Sequence, residues 1–537
     1  MRPSISARLG AGFGIVGVGL LVAVATNVAL TVLSSAKLAF ALGGLALLIP
    51  TMVVENPQVY WLFLLVMSIP FDITKWLSLS LVDPQALVKT YGMPMSNTTG
   101  IEIYLSDVIL VAVLLPWLAR VCLRRVSIYF PKIAYLFVFY LGWALLVSLI
   151  NATSLYLSLF ELCRQVLWFL FFIYLINNVS TRLQFRSVVF AVFLGFIISA
   201  GSVVLFFELG IGTDTVAFAG LHDQASATES TRQYTTKKDP TPGIMTLHIG
   251  ERDLGLSSRS NGSEIKRSQG IFRHPGIPAG LSGLILPTVL AYFITAKNNR
   301  DRIWFFLVYV LGFIALLLTF SRAGLIGFII GTIVFFALAG WSGLISRGAF
   351  KLGLVTLILI GALSTPLLLM YLWTRPESFI MRFYMFEAAI QGYAAHPILG
   401  VGLNNSTAAM RAPRQELTDM GIPVGTLEPA DSYYLAILTE VGPLGSFLYF
   451  GFFAYIVVIA LGSMKQVADD SKPLLVGMAA GLAALATQSI ADGPLAGHAV
   501  GGALWLFVAL IVAIRRRTPA ETRSAAIARG EAALVEA

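Results

Sequence analysis

Long apolar stretches recur along this chain, separated alternately by short basic connections and by longer polar ones. A bilayer core takes about 20 apolar residues per helix, and stretches of that kind lie near 11–33, 36–54, 57–72, 104–122, 131–150, 160–176, 187–209, 276–296, 303–320, 322–340, 352–371, 432–459, 474–491 and 499–514. The pattern predicts an all-α polytopic integral membrane protein with about 12–14 transmembrane helices. The span at 57–72 is short and contains Pro70, while 432–459 is long, so one or two segments are candidates for re-entrant helices. The first span follows Arg2 and Arg8 and is longer than a signal-peptide core, which reads as a retained anchor.

Charge orients these spans. With the N-terminus inside, more than half of the 37 Lys and Arg fall in short inner segments, among them Arg120, Arg124, Arg125, Lys132, Lys297, Arg300, Arg302 and Arg515 to Arg517. Short basic loops decide topology under the positive-inside rule, so both termini are expected in the cytoplasm. The domain order expected is an N-terminal transmembrane bundle (1–209), a large periplasmic loop (210–275), central transmembrane helices around Arg322 (276–371), a second periplasmic loop with an interfacial helix (372–431), C-terminal transmembrane helices (432–514) and a cytoplasmic tail (515–537).

Composition agrees with a membrane class: mean hydropathy +0.81, 57% hydrophobic and 12% charged residues. The formal net charge of +9 is accounted for by a basic rim facing anionic lipid, with no nucleic-acid partner implied. Cys122 and Cys163 lie in or beside apolar spans and suggest neither a disulfide framework nor a thiolate metal site.

Three outer segments are large enough to build a site: 73–103; the 210–275 loop, whose Ser/Thr-rich middle (225–238) leads into the basic run from Lys266 to Pro275; and the 372–431 loop, whose aromatic stretch 379–393 predicts an interfacial helix. Ions at membrane depth are costly and tend to face protein, water or ligand. Arg322 stands at the junction of two spans with no room for a loop, and either marks the interface by snorkelling or binds a ligand. Glu161 and Arg164 are three apart on one helical face, and we expect them to pair. Asp107, Glu440 and Asp492 are also near outer span ends. Downstream, Gly400 and Gly402 suit a tight turn near a ligand, and Asp431 and Ser432 either cap a helix or present a carboxylate at its outer mouth.

Taken in order, Arg267-x-x-Gly270 with His274-Pro275, Ser321-Arg322-Ala-Gly324, His396-Pro-x-x-Gly400-x-Gly402-x-Asn404, and Asp431-Ser432-x9-Gly442-x-x-Gly445 resemble the bacterial O-antigen ligase and O-antigen polymerase superfamily. These are membrane glycosyltransferases that use polyprenyl-diphosphate-linked saccharides. The resemblance covers roughly 260–450 and implies a fold similar to GT-C-type glycosyltransferases, in the bacterial inner membrane, with the active site facing the periplasm. It implies catalytic roles for Arg267, Arg322 and Asp431, and substrate contacts from Arg273, His274, Ser321, His396, Gly400, Gly402, Asn404 and Ser432. Ligases of the superfamily usually carry His where this chain has Asp431, which favours a polymerase. Relatives often have Asn where this chain has Gly276.

The implied chemistry suits these residue types. A diphosphate leaving group carries a charge of roughly −2 to −3, and planar guanidinium groups bind phosphate oxygens bidentately. Arginines fixed there favour the transition state, in which negative charge grows on the diphosphate. Asp431 is positioned in the sequence to orient the acceptor hydroxyl or accept its proton, with inversion at the anomeric carbon. No cofactor or metal is expected, and the expected partners are the lipid-linked donor, the saccharide acceptor and membrane lipid, with a chain-length regulator and a flippase as candidates. A transporter is the competing class, but its ionisable groups belong at mid-membrane, whereas here they gather at one face.

Overall fold

The computed structural model describes residues 57–71, 74–77, 101–209, 246–249, 252–255, 268–272, 274–346, 348, 351, 353, 376–410, 412–413, 416 and 432–528. The expected spans at 11–33 and 36–54, all of 352–371 but residue 353, the stretch 225–238, and Arg267, Arg273 and Asp431 lie outside the described residues.

Helices dominate, in the order α1 (Pro57–Ser68), α2 (Leu105–Cys122), α3 (Ala134–Asn151), α4 (Leu155–Asn178), α5 (Arg182–Glu208), α6 (Gly276–Thr295), α7 (Asn299–Leu318), α8 (Arg322–Trp341), α9 (Pro376–Ala394), the single turn α10 (Ser406–Ala409), α11 (Tyr433–Ser463), α12 (Lys472–Gln488) and α13 (His498–Ala528). Among the described residues nine of these are long and apolar enough to cross a membrane. The protein is therefore an all-α polytopic membrane protein. Two short antiparallel ladders decorate it: Thr74–Leu77 with Ile101–Tyr104, and Thr246–Ile249 with Arg252–Gly255.

Helix α6 runs through the centre, with nearly every residue from Gly276 to Val289 buried. It packs against α12 through backbone approach rather than large side chains: Gly477 and Gly481 of α12 sit against Thr288 and Leu284, and Gly327 and Gly331 of α8 sit against Ala484. Glycines four apart on one helical face let backbones come together where lipid gives no hydrophobic drive. A β-carbon added to Gly327 or Gly331 would lie 2.5 Å from Ala484 O or 2.6 Å from Ala484 Cβ, so α6, α8 and α12 are held in one register. On the other side, Phe137, Phe452 and Trp505 from α3, α11 and α13 interlock, with ring centroids 4.8 Å and 5.1 Å from Phe137, an aromatic core that buries large apolar area.

The helix ends sort into two faces. One carries Arg182 with Asp470 at 3.4 Å, Arg516 against Tyr129, Arg517 against Phe185 and Lys465 against Trp341; we call it the basic face. The opposite face gathers the starts of α2, α4, α6, α8, α11 and α13 and the ends of α3, α5, α7 and α12, tied by hydrogen bonds such as Ser268 N to Leu318 O (3.1 Å) and Tyr433 N to Ser489 O (3.0 Å). This is the motif face.

Candidate active site

At the junction of α7 and α8 the chain reverses in three residues. Phe320 takes a positive φ of 50°, Thr319 Oγ1 accepts from Ser321 N at 3.2 Å, and Ser321 Oγ accepts from Gly324 N at 3.1 Å. Ser321 is thus the N-cap of α8, satisfying one of the N–H groups a helix start leaves open, and it is buried. The cap places Arg322 at the first position of α8, half-buried, on the positive end of the helix dipole. Gly324 fits against Ala279, where an added β-carbon would be 2.6 Å from the alanine methyl. The first turns of α6 and α8 therefore share one place.

His274 precedes that first turn of α6. Its Nδ1 accepts from Gly276 N at 3.1 Å, which puts the ring proton of the neutral form on Nε2. Beside it stands Asp492, from the connection that follows α12. Gln488 Nε2 donates to both Gly276 O (3.1 Å) and Asp492 Oδ2 (3.2 Å), and Gly493 N donates to Asp492 Oδ1 (2.9 Å). Ser432, the buried N-cap of α11, lies next to Tyr433, whose N–H donates to Ser489 O. His274, through Gly276, and Ser432, through Tyr433, thus meet the end of α12, while Ser321 and Arg322 stand at the start of α8 that packs on the first turn of α6 through Gly324.

The His396 motif has a different setting. Gly400, Gly402 and Asn404 all have positive φ (83°, 91° and 57°), and the loop docks on α11 where that helix breaks. Val401 N donates to Thr439 O (2.9 Å) and Gly402 N to Glu440 O (2.8 Å). Gly442, with φ 67° and ψ −175°, interrupts the helix just before Pro443. This break explains the length of the 432–459 span. Trp143 Nε1 donates to the released carbonyl of Val441 at 2.9 Å. Gly400 and Gly402 are buried against Glu440 and Ala152, whereas His396 and Asn404 are exposed. Gly445 abuts Val441 and Trp143. Buried Glu440 receives the Ser406 hydroxyl at 2.7 Å, and Asn405 ties the loop to α4 through Ser158 Oγ (2.8 Å).

Residues 307–450, from within α7 to just past the break in α11, match the family described as O-antigen ligase. The match supports a place in the O-antigen ligase and polymerase superfamily. No curated protein gives a significant match to it. The matched family indicates a glycosyltransferase-type enzyme and implies a lipid-linked saccharide and an acceptor as its substrates. The matched region contains Arg322, the His396 motif, Gly442 and Gly445, and leaves out His274 and Asp492.

Sequence reading assigned no role to Asp492 or Gln488, the two side chains around which His274 and Gly276 are arranged. The available signal was the spacing of Gly477 and Gly481, and of Gly327 and Gly331, in apolar helices. It marks α12 as packed tightly between α6 and α8. The interfacial helix expected at 379–393 falls on α9, which buries Met385, Ala388 and Ala389 and exposes Phe383, Glu387 and Ile390, a buried and an exposed side at helical period. Glu387 accepts from Gln391 at 3.5 Å. The expected pair of Glu161 and Arg164 is present at 3.7 Å.

Proposed function

We propose that the protein polymerises polyprenyl-diphosphate-linked oligosaccharide repeat units into a surface polysaccharide, O-antigen or exopolysaccharide, at the periplasmic face of the bacterial inner membrane. The supporting observation is the packing of the start of α8, which carries Arg322, on the first turn of α6 through Gly324 and Ala279, with His274 and Asp492 gathered at Gly276 at the start of that same turn, on the face opposite the basic rim and beside a stretch that matches the O-antigen ligase family. The basic face is then cytoplasmic, together with both termini.

Arg322 binds the donor diphosphate with Arg267 and Arg273, and the dipole of α8 adds to the same field. His274 donates from Nε2 to a phosphate or sugar oxygen. The acceptor hydroxyl oxygen attacks the anomeric carbon from the side opposite the diphosphate. The new C–O bond forms as the bond to phosphate breaks, the bonding pair leaves with the polyprenyl diphosphate, and the hydroxyl proton passes to Asp431. The product has inverted configuration. Ser321 and Ser432 hold the two helix starts, while Gly400 and Gly402 set the loop that presents His396 and Asn404 to substrate. Lipid lines the carrier's path, and a flippase and a chain-length regulator are the partners this reaction calls for.

Ligation of finished polysaccharide to lipid A-core, or to a protein, is the second reading, favoured by the family description over 307–450. Purified protein in liposomes with a lipid-linked oligosaccharide separates the two. A ladder of multiples without added acceptor supports polymerisation, and a single transfer that requires lipid A-core or protein acceptor supports ligation.

A further inference from the structure

Helix α11 cannot bond to itself across its break, and much of what replaces those bonds comes from the His396 loop. Pro443 has no N–H to offer Thr439 O, and that carbonyl accepts from Val401 N at 2.9 Å instead. The next two carbonyls, of Glu440 and Val441, accept from Gly402 N at 2.8 Å and from Trp143 Nε1 at 2.9 Å. Loop and break fit backbone to backbone: a β-carbon on Gly400 would stand 2.7 Å from Gly442 N, and both glycines have positive φ.

Past Gly400 the loop makes one tight turn. Asn405 N donates to Gly402 O at 3.3 Å and closes Gly402-Leu403-Asn404-Asn405. Asn404, third in the turn, has φ 57°, a left-handed conformation that asparagine tolerates at this place. Its neighbours are anchored. Leu403 and Asn405 are buried; Leu403 N donates to Ser148 Oγ of α3 at 3.2 Å, and Asn405 Oδ1 accepts from Ser154 N, before α4, at 2.8 Å. Of the four residues in the turn, Asn404 is the exposed one, on the motif face where α3 ends and α4 begins.

Glu440 grips this turn at both ends. Its main-chain carbonyl takes Gly402 N, and its Oε1 accepts from Ser406 Oγ at 2.7 Å. Both residues are enclosed, Glu440 at 8% and Ser406 at 4% exposure. Enclosing a carboxyl group is costly, and an apolar residue would fill the space; what the carboxyl adds is a directed bond to the residue that follows the turn. We infer that Glu440 is a positioning residue for glycosyl transfer, which through Ser406 fixes the turn that holds Asn404 to the substrate. The inference rests on the glycosyl-transfer reading above, in which Asn404 contacts substrate. The helical segment that ends at the break begins just after Asp431 and Ser432, so one stretch of helix carries both the latch and the start of α11.

The test is transfer from the host's lipid-linked oligosaccharide by purified protein in liposomes, with each rate taken per folded molecule. Glu440→Ala and Ser406→Ala break the bond from either side, and each should slow transfer about tenfold or more, since a small misplacement of a substrate contact is costly. Glu440→Gln keeps an acceptor oxygen in place and should restore most of the rate. In an Asn404→Ala background, itself slowed about tenfold, Glu440→Ala should cost less than about threefold more. Full activity in both alanine variants, no rescue by glutamine, or losses that multiply with Asn404→Ala overturn the positioning role, because an effect on stability alone would not depend on Asn404. The reaction fails separately, and the inference with it, if wild-type protein forms no new glycosidic bond from the lipid-linked donor, with or without lipid A-core or a protein acceptor.

Discussion

The carboxylate of Asp492 occupies the volume that a side chain on Gly276 would need: Oδ2 stands 2.7 Å, and Nδ1 of His274 2.9 Å, from the position of an added β-carbon. At this position the chain has a glycine with a carboxylate from the connection after α12 leaning over it. Gly276→Ala should displace Asp492 and His274 together, cost about 1–3 kcal/mol of stability, and lower transfer at least tenfold. Thermal unfolding in detergent and the liposome transfer assay check both effects. Wild-type activity in this variant would remove Asp492 and His274 from the site.

The glycine contacts between α12 and α6 are predicted to matter far more than glycines in open positions. Gly481 abuts the Leu284 carbonyl, whereas nothing lies within 4 Å of a β-carbon added at Gly201. Gly481→Ala should destabilise by roughly 1–3 kcal/mol. Gly201→Ala, in the interior of α5, should stabilise by up to about 1 kcal/mol through helix propensity. Thermal unfolding in detergent compares the pair, and equal shifts would contradict the close packing.

At the break in α11, Gly442 combines a φ of 67° and ψ of −175° with a contact to the Ile398 carbonyl. That region of conformation is essentially restricted to glycine. Gly442→Ala should cost about 3 kcal/mol or more, strain and overpacking together. Because the His396 loop hydrogen-bonds to the same turn, limited proteolysis between 396 and 405 should accelerate in the variant; an unchanged cleavage rate would show that the loop does not depend on the break.

Arg322 is expected to act through charge and fork geometry. Arg322→Ala should reduce transfer by about 10²-fold or more, and Arg322→Lys should recover only part of it, since a point charge lacks bidentate contacts. Arg267→Ala should abolish transfer with the protein still inserted and expressed. Near wild-type product from any of the three would overturn the diphosphate clamp.

Asp431→Asn keeps the shape and removes the charge. Loss of transfer with donor binding intact identifies a base or acceptor-orienting group, while unchanged activity reduces the residue to a helix cap.

Sequence alone determined the membrane class, the apolar spans from α1 to α13, the junction at Arg322 and the superfamily motifs, because span length, charge at loop ends and turn residues are properties of neighbours along the chain. The pairing of Glu161 with Arg164 was legible for the same reason, being one turn of helix apart. What only the tertiary structure decided is which ends meet. Asp492 and Gly276 are brought together by the glycine pair of α12 that seats it on α6. The His396 loop is fixed by carbonyls that Gly442 releases from helical bonding. His498 is stacked on Tyr104 and bonded to Ser106, nearly four hundred residues away in the chain. These relationships depend on close backbone approach between segments distant in sequence, and such approach is set by how the helices pack against one another, not by the pattern within any one of them.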